Sequence, residues 1–280
     1  MNRFLTLIVG ASLAMLANTA LRAAELTVTT YTALPAGFSV NSHLIQGERD
    51  AILVDAQFTL SEAAKAVEVV QRSGKRLKYI VVTHGHPDHF FGLEAFQRAF
   101  PEARIVATAP VIADIGDYGP KAIGYWKPVF KDEIPDGFIT PAPINSTSLF
   151  LEGHEIQLLT LNGAESPHAT VLWIPSTKAL LTGDLVYSAV HLWLRENRPE
   201  GWLAILDRLE QLQPSRVYPG HGFPGGPELI AANRQYIHAF LAATVPPASK
   251  EQAIAALKAK YPDYALPVIV EFSASGRLGD

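Results

Sequence analysis

An α/β layered fold is predicted by three observations on the sequence. Short runs rich in β-branched residues open the chain after its first two dozen residues. Later runs of that kind alternate with stretches of helical apolar spacing. One run, Leu77 to Thr83, is apolar almost throughout, as in a strand buried on both faces. The 280 residues, 48% hydrophobic and 18% charged, suffice for one large domain or two small ones. This composition excludes a disordered chain, a collagen-like repeat and a multi-span membrane protein. A formal net charge of −4 offers no electrostatic footing for nucleic acid. Cysteine is absent, which removes disulfides, thiolate metal sites, a catalytic thiol and a lipid anchor on cysteine.

The N-terminus reads as an address. Arg3 precedes the apolar run Phe4 to Leu16, and small residues follow at Ala20, Ala23 and Ala24. A charged start, a short apolar centre and an alanine-rich end make a secretory signal peptide over 1–24, too short for a membrane span of ~20 residues. Cleavage is expected after Ala23 or Ala24, leaving no stable membrane span and a periplasmic or secreted protein.

The remaining elements follow in order. Leu26 to Thr32, Phe38 to Gln46 and Ala51 to Asp55 alternate and are bounded by turn residues, which predicts a meander of short strands. Leu60 to Arg72 places Ala63, Ala64, Val67 and Val70 on one helical side, and Gly74 ends it. The buried strand Leu77 to Thr83 is followed by a helix over Leu93 to Phe100 and a strand over Arg104 to Ala107. Asp114 to Ser148, with glycines, prolines and aromatics but no clear period, reads as a long irregular insertion or lid. Strands return at His154 to Leu161, Thr170 to Ile174 and Ala179 to Thr182. Helices are expected at Trp202 to Gln213, Pro227 to Ala243 and Ser249 to Lys260, then an apolar strand-like run from Leu266 to Phe272. The catalytic domain is thus placed at 25–245, with 246–280 a helix and extended tail packed on it.

The chemistry concentrates in Thr83-His84-Gly85-His86-Pro87-Asp88-His89, directly after the buried strand. Three imidazoles and one carboxylate fall within six residues, where a rigid sheet hands over to a loop. Imidazole suits zinc and related metals, and carboxylate adds negative charge. Six residues cannot satisfy a metal alone. Three further donors stand beside glycine or proline at other strand ends: His168, Asp184 and His221. Together they supply five imidazoles and two carboxylates, enough for two four-coordinate metals sharing Asp184.

This pattern, with Asp55 closing AILVD, resembles the metallo-β-lactamase superfamily over roughly Val28 to Leu241. The resemblance implies a four-layer αββα sandwich with a dinuclear site at the sheet edges. It implies that His84, His86 and His168 hold one metal, that Asp88, His89 and His221 hold the second, and that Asp184 bridges them. It implies two zinc ions per chain, although the same donors suit iron or manganese. Asp55 matches a structural aspartate of the family.

Two cations ~3.5–4 Å apart lower the pKa of a shared water and polarise a carbonyl, so the reaction class is metal-assisted hydrolysis of a small molecule. Asp88 is both a ligand and the group best placed to orient the nucleophile or pass a proton. The bridging Asp184 resembles hydroxyacylglutathione hydrolases, lactonases and related esterases more than true β-lactamases, so an ester, lactone or thioester is the expected bond. Tyr187 resembles a lactonase tyrosine that assists the leaving or carbonyl oxygen; its alternative is packing. Basic C-terminal residues for holding glutathione are not evident. Two alternatives stand beside this reading: a lactam hydrolase and an iron-dependent redox enzyme on the same scaffold. Phe90, Phe91, Tyr125, Trp126 and Trp193 could line an apolar pocket, with core packing as the competing reading. His191 reads as a surface histidine or one behind the ligands. His43, His154 and His238 match no ligand position.

Overall fold

Residues 24–279 are described by a computed structural model; the expected signal peptide lies outside them, apart from Ala24. The chain opens with β1 (Thr27–Thr32), β2 (Asn41–Gln46) and β3 (Asp50–Val54), then α1 (Leu60–Arg72), β4 (Arg76–Val81), α2 (Leu93–Ala99) and β5 (Arg104–Ala107). A long α3 (Ala109–Phe130) leads to the two-residue β6 (Ala142–Pro143). The second half comprises β7 (Ser148–Leu151), β8 (His154–Asn162), β9 (His168–Ile174), β10 (Ala179–Tyr187), α4 (Pro199–Gln211), β11 (Arg216–His221), α5 (Glu228–Ala243), α6 (Lys250–Lys260) and α7 (Ile269–Leu278).

Two sheets result, one ordered β1-β2-β3-β4-β5-β6 and one β11-β10-β9-β8-β7. Strand periodicity explains how they stack. On β3, Ile52 and Val54 face the space between the sheets, whereas Ala51 and Leu53 face α1 to α3. On β9, Leu172 and Ile174 take the inner face and Val171 and Trp173 the outer, against α4 to α7. Both faces of each central strand are therefore apolar, as the near-continuous runs require. The layers are helix, sheet, sheet, helix: the αββα sandwich. Each fully buried Leu, Ile or Val in these layers contributes roughly 1.5–3 kcal/mol relative to exposure.

Two expectations are corrected. Asp114 to Ser148 is not an irregular insertion, because its first half belongs to α3. The glycines and prolines conceal a helical face of Val111, Ile115, Gly119 and Ala122. Gly119 is needed on that face, since a Cβ there would lie 2.6 Å from the Phe138 ring. Pro120 and Pro128 sit inside the helix, so packing against the first sheet overrides propensity. The tail is helical as well: Leu266 to Phe272 leads into α7, whose Val270, Ser273 and Ala274 are buried. A short apolar run cannot by itself distinguish a strand from a helix.

Candidate metal centre

Most site residues come from the end of a buried strand or the turn beyond it, whereas Asp184 lies within β10, where its pairing with β11 shifts register. Asp55 follows β3 with a left-handed backbone (φ 63°), a conformation Asp tolerates better than most residues. Its carboxylate accepts from the Thr83 amide, the Thr83 hydroxyl and Nδ1 of His89, each at 2.8 Å. The turn beyond β4 is thereby tied to the end of β3. Thr83 Oγ1 also lies 3.0 Å from Nδ1 of His84. Asp88 and His89 occupy a single 3-10 turn, Pro87–His89. His221 ends β11, and its Nδ1 donates to the Phe38 carbonyl at 2.7 Å. With their outer nitrogens engaged, His84, His89 and His221 present Nε2 to one another's neighbourhood.

Two donor groups form, His84, His86, Glu165 and Asp184, then Asp88, His89, Asp184 and His221, and Asp184 belongs to both. In the first, Nδ1 of His86 is 2.8 Å from Glu165 Oε1, and Nε2 of His84 is 3.7 Å from Glu165 and 3.8 Å from Asp184. In the second, Nε2 of His89 is 3.2 Å from Asp184 and 3.6 Å from Asp88. Nε2 of His221 is 3.0 Å from Asp184 and 3.4 Å from Asp88.

Six of the seven expected donors meet here, and the seventh does not. His168 starts β9 pointing at α3, where its Nδ1 lies 2.9 Å from Asp114 Oδ2. Glu165 stands in its place, buried and three residues earlier. The connection from β8 closes on itself through Gly163 N to Pro167 O, so Glu165 reaches the gap first. The sequence signal for Glu165 is a carboxylate in the turn just before His168. Gly85 lets α3 seat over the turn, since its Cβ would fall 2.7 Å from Asp114 Cβ. Gly220 keeps space for the shared carboxylate: a Cβ would lie 1.9 Å from Asp184 Oδ1.

Tyr187 is at the site, but its hydroxyl donates to Asp184 Oδ2 at 2.7 Å, and its ring stacks on His221 with centroids 4.9 Å apart. Trp126 and Trp193 border the open space above the donors, while Phe90 and Phe91 are core. His191 lines that space with Nδ1 bonded to the Tyr236 hydroxyl. His43 is buried between Thr30 and the Pro219 carbonyl, and His154 contacts the Ala24 carbonyl.

Burial is the largest influence on every donor and opposes charge. At His86, Glu165 with Asp88 and Asp184 outweighs burial and raises the pKa to about 9. Asp184 and Asp88 raise His221 to about 10, and His89 also stands well above the usual imidazole value. Burial, reinforced by His89, holds His84 well below it. Burial would lift Asp88 and Asp184, but the adjacent His89 and His221 hold Asp88 at about 2 and Asp184 well below the carboxylate range. Burial prevails at Glu165 and lifts it to about 7.

The donor set fits divalent cations. Nε2 of His84 and of His89, both Glu165 oxygens and Asp184 Oδ1 are buried without a hydrogen-bond partner. The 2.8 Å approach of His86 to Glu165 lacks hydrogen-bond alignment. Each such atom would cost about 1–3 kcal/mol if left unmet. Ligand bonds of ~2.0–2.2 Å in a tetrahedron place donors roughly 3.3–3.6 Å apart, and the donor contacts here, from 2.8 to 3.8 Å, bracket that spacing.

The comparisons agree with this geometry. A family profile described as the metallo-β-lactamase superfamily matches residues 35–221. A hydroxyacylglutathione hydrolase of Albidiferax ferrireducens is 28% identical over 186 residues, 64% of this chain and 61% of that protein. A linear primary-alkylsulfatase of Pseudomonas sp. is 27% identical over 218 residues, 65% of this chain and 41% of that protein. The chain spans about a third to three fifths of the length of the curated relatives it matches. Among solved structures, a metallo-β-lactamase family protein from Thermus thermophilus superposes with a TM-score of 0.61 at 21% identity. That match covers 88% of this chain and 91% of that one. With the αββα layers, the strand-end donors and a family match over two thirds of its length, the chain belongs to the metallo-β-lactamase superfamily.

Proposed function

We propose that this chain is an exported two-zinc hydrolase that cleaves an ester, lactone or thioester bond of an apolar small molecule. The observation that carries the reading is Asp184 shared between two donor groups beneath an apolar chamber. Phe38, Phe58, Trp126, Val190, Trp193 and Ile269 line that chamber, and no Lys or Arg does among the described residues. A lactam substrate bearing a carboxylate beside the scissile bond would find no cation there, which favours the ester over the lactam alternative.

His84, His86, Glu165 and Asp184 would hold one cation, and Asp88, His89, Asp184 and His221 the other. When bound, such a pair lowers the pKa of a shared water towards ~7 and polarises a carbonyl oxygen. Asp55 and Phe38 fix the His89 and His221 rings in the tautomer that turns Nε2 inward. Tyr187 holds Asp184 in orientation rather than reaching for substrate. The aromatic walls exclude bulk water. Asp88 lines the chamber beside His221 and His89, where it can take the proton of the attacking water and return it. The acyl carbon gains the water oxygen, its bond to the departing oxygen or sulfur breaks, and that atom receives the proton.

Zinc-loaded protein assayed on lactones, aryl esters, thioesters and lactams, with elemental analysis of the native protein, tests the proposal. Ester-type turnover above lactam turnover with about two zincs per chain is expected; lactams as best substrates, or iron in the native protein, would overturn it. Export is checked by sequencing the mature N-terminus, expected between Ala20 and Glu25. Among the described residues no helix is long and apolar enough to cross a membrane.

A further inference from the structure

The chamber above the donors is only about 60 Å³, room for a reacting group and little more. Beside it opens a cleft of about 680 Å³. Tyr118, Trp126 and Trp193 border both spaces. The outer cleft differs in charge. Lys121 of α3, Arg195 of the segment after β10, and Lys250 of α6 all line it. Among the described residues the one carboxylate lining it, Glu271, is 3.0 Å from Lys258. Lys121 is paired with Asp117, but Arg195 and Lys250 make no ion pair among the described residues. Cations from three separate elements thus converge on one cleft of a chain whose net charge is −4.

The placement of Arg195 is enforced. A Cβ on Gly276 of α7 would lie 2.3 Å from the Arg195 carbonyl oxygen, so only glycine lets α7 close on this segment. Ser273 adds a hydrogen bond from the Leu194 amide at 2.9 Å and one to the Leu192 carbonyl at 3.0 Å. The C-terminal helices therefore form a wall of the substrate region. Leu266 and Ile269 face the inner chamber; Lys250, Ile254 and Val268 face the outer cleft.

Building on the ester-hydrolase reading above, we propose that the substrate carries an anionic group at the end distant from the scissile bond. The ester enters the chamber, the apolar middle passes Tyr118, Trp126 and Trp193, and a terminal carboxylate meets Arg195 and Lys250 in the outer cleft. Charge is recognised away from the reacting centre, whose wall carries no Lys or Arg among the described residues.

The test compares para-nitrophenyl hexanoate with the para-nitrophenyl monoester of adipic acid, equal in length and differing by a terminal carboxylate. The wild type should show a lower KM for the adipate ester. Arg195→Ala and Lys250→Ala should each raise that KM about five-fold with kcat held, as expected for a solvated charge pair. The double variant should bring the KM ratio of the two esters near one, and added salt should shrink the wild-type preference. Equal KM values in the wild type, or a preference untouched by the double variant, would overturn the inference. If neither ester is turned over, the hydrolase reading falls by itself. Calorimetric binding of monomethyl adipate to the wild type and to the double variant then decides the cleft: loss of affinity in the variant upholds it, and equal affinity overturns it.

Discussion

Oε1 of Glu165 lies 2.8 Å from Nδ1 of His86, both buried, without hydrogen-bond alignment between them. Two donors directed into the same gap are best reconciled by a cation between them. Glu165→Ala should lower bound metal from about two to about one per chain and reduce turnover by at least about 100-fold, whereas Glu165→His should retain both metals. Elemental analysis and kcat decide this; full metal content in the alanine variant would remove Glu165 from the donor set.

Tyr187→Phe keeps the ring stacked on His221 but removes the hydrogen bond to Asp184. Loss of an outer partner of a ligand typically costs ~10–100-fold in metal affinity. Competition with a chromophoric chelator should show that weakening. Unchanged affinity with slower lactone turnover would return the hydroxyl to a role on substrate.

Metal binding should release protons. In the donor set alone His86 and His221 stand at about 9 and about 10, so at pH 7 both are charged and must deprotonate to coordinate. Apparent affinity should therefore rise with pH up to about 10. It should rise most steeply below about 7, where Glu165 is protonated too. Calorimetry in buffers of different ionisation enthalpy counts the protons, and affinity flat between pH 6 and 9 would contradict the assignment.

Asp55→Ala should destabilise the fold by about 3 kcal/mol or more in urea unfolding. The Thr83 amide, the Thr83 hydroxyl and Nδ1 of His89 all lose their buried acceptor, at about 1–3 kcal/mol each. The φ of 63° adds strain for alanine. Asp55→Asn keeps a carbonyl oxygen and tolerates that backbone, so it should cost less. Equal losses for the two variants would show that the acceptor is not what matters.

The residues of the HGHPDH run and His221 were legible in the sequence because each lies at or just beyond the end of a strand whose apolar pattern is itself local, and Asp184 because it follows the apolar run that opens β10. Donors a few residues apart on one turn need no knowledge of distant contacts. The helix Leu60–Arg72 and strand Arg104–Ala107 were legible for the same reason, since period and end signals coincide. Tertiary structure decided the rest. Glu165 lies in the loop that ends at His168, the first residue of β9, and only the path of that loop, with α3 offering Asp114 as a partner, determines which of them reaches the donor cluster. The prolines and glycines of α3 argued locally against a helix, and burial against the first sheet outweighed them. The apolar run Leu266 to Phe272, strand-like by its local pattern, enters α7 instead. Its direction was set by Ser273 and Gly276 docking on the segment that carries Arg195, a contact between residues about 80 positions apart that no local pattern encodes.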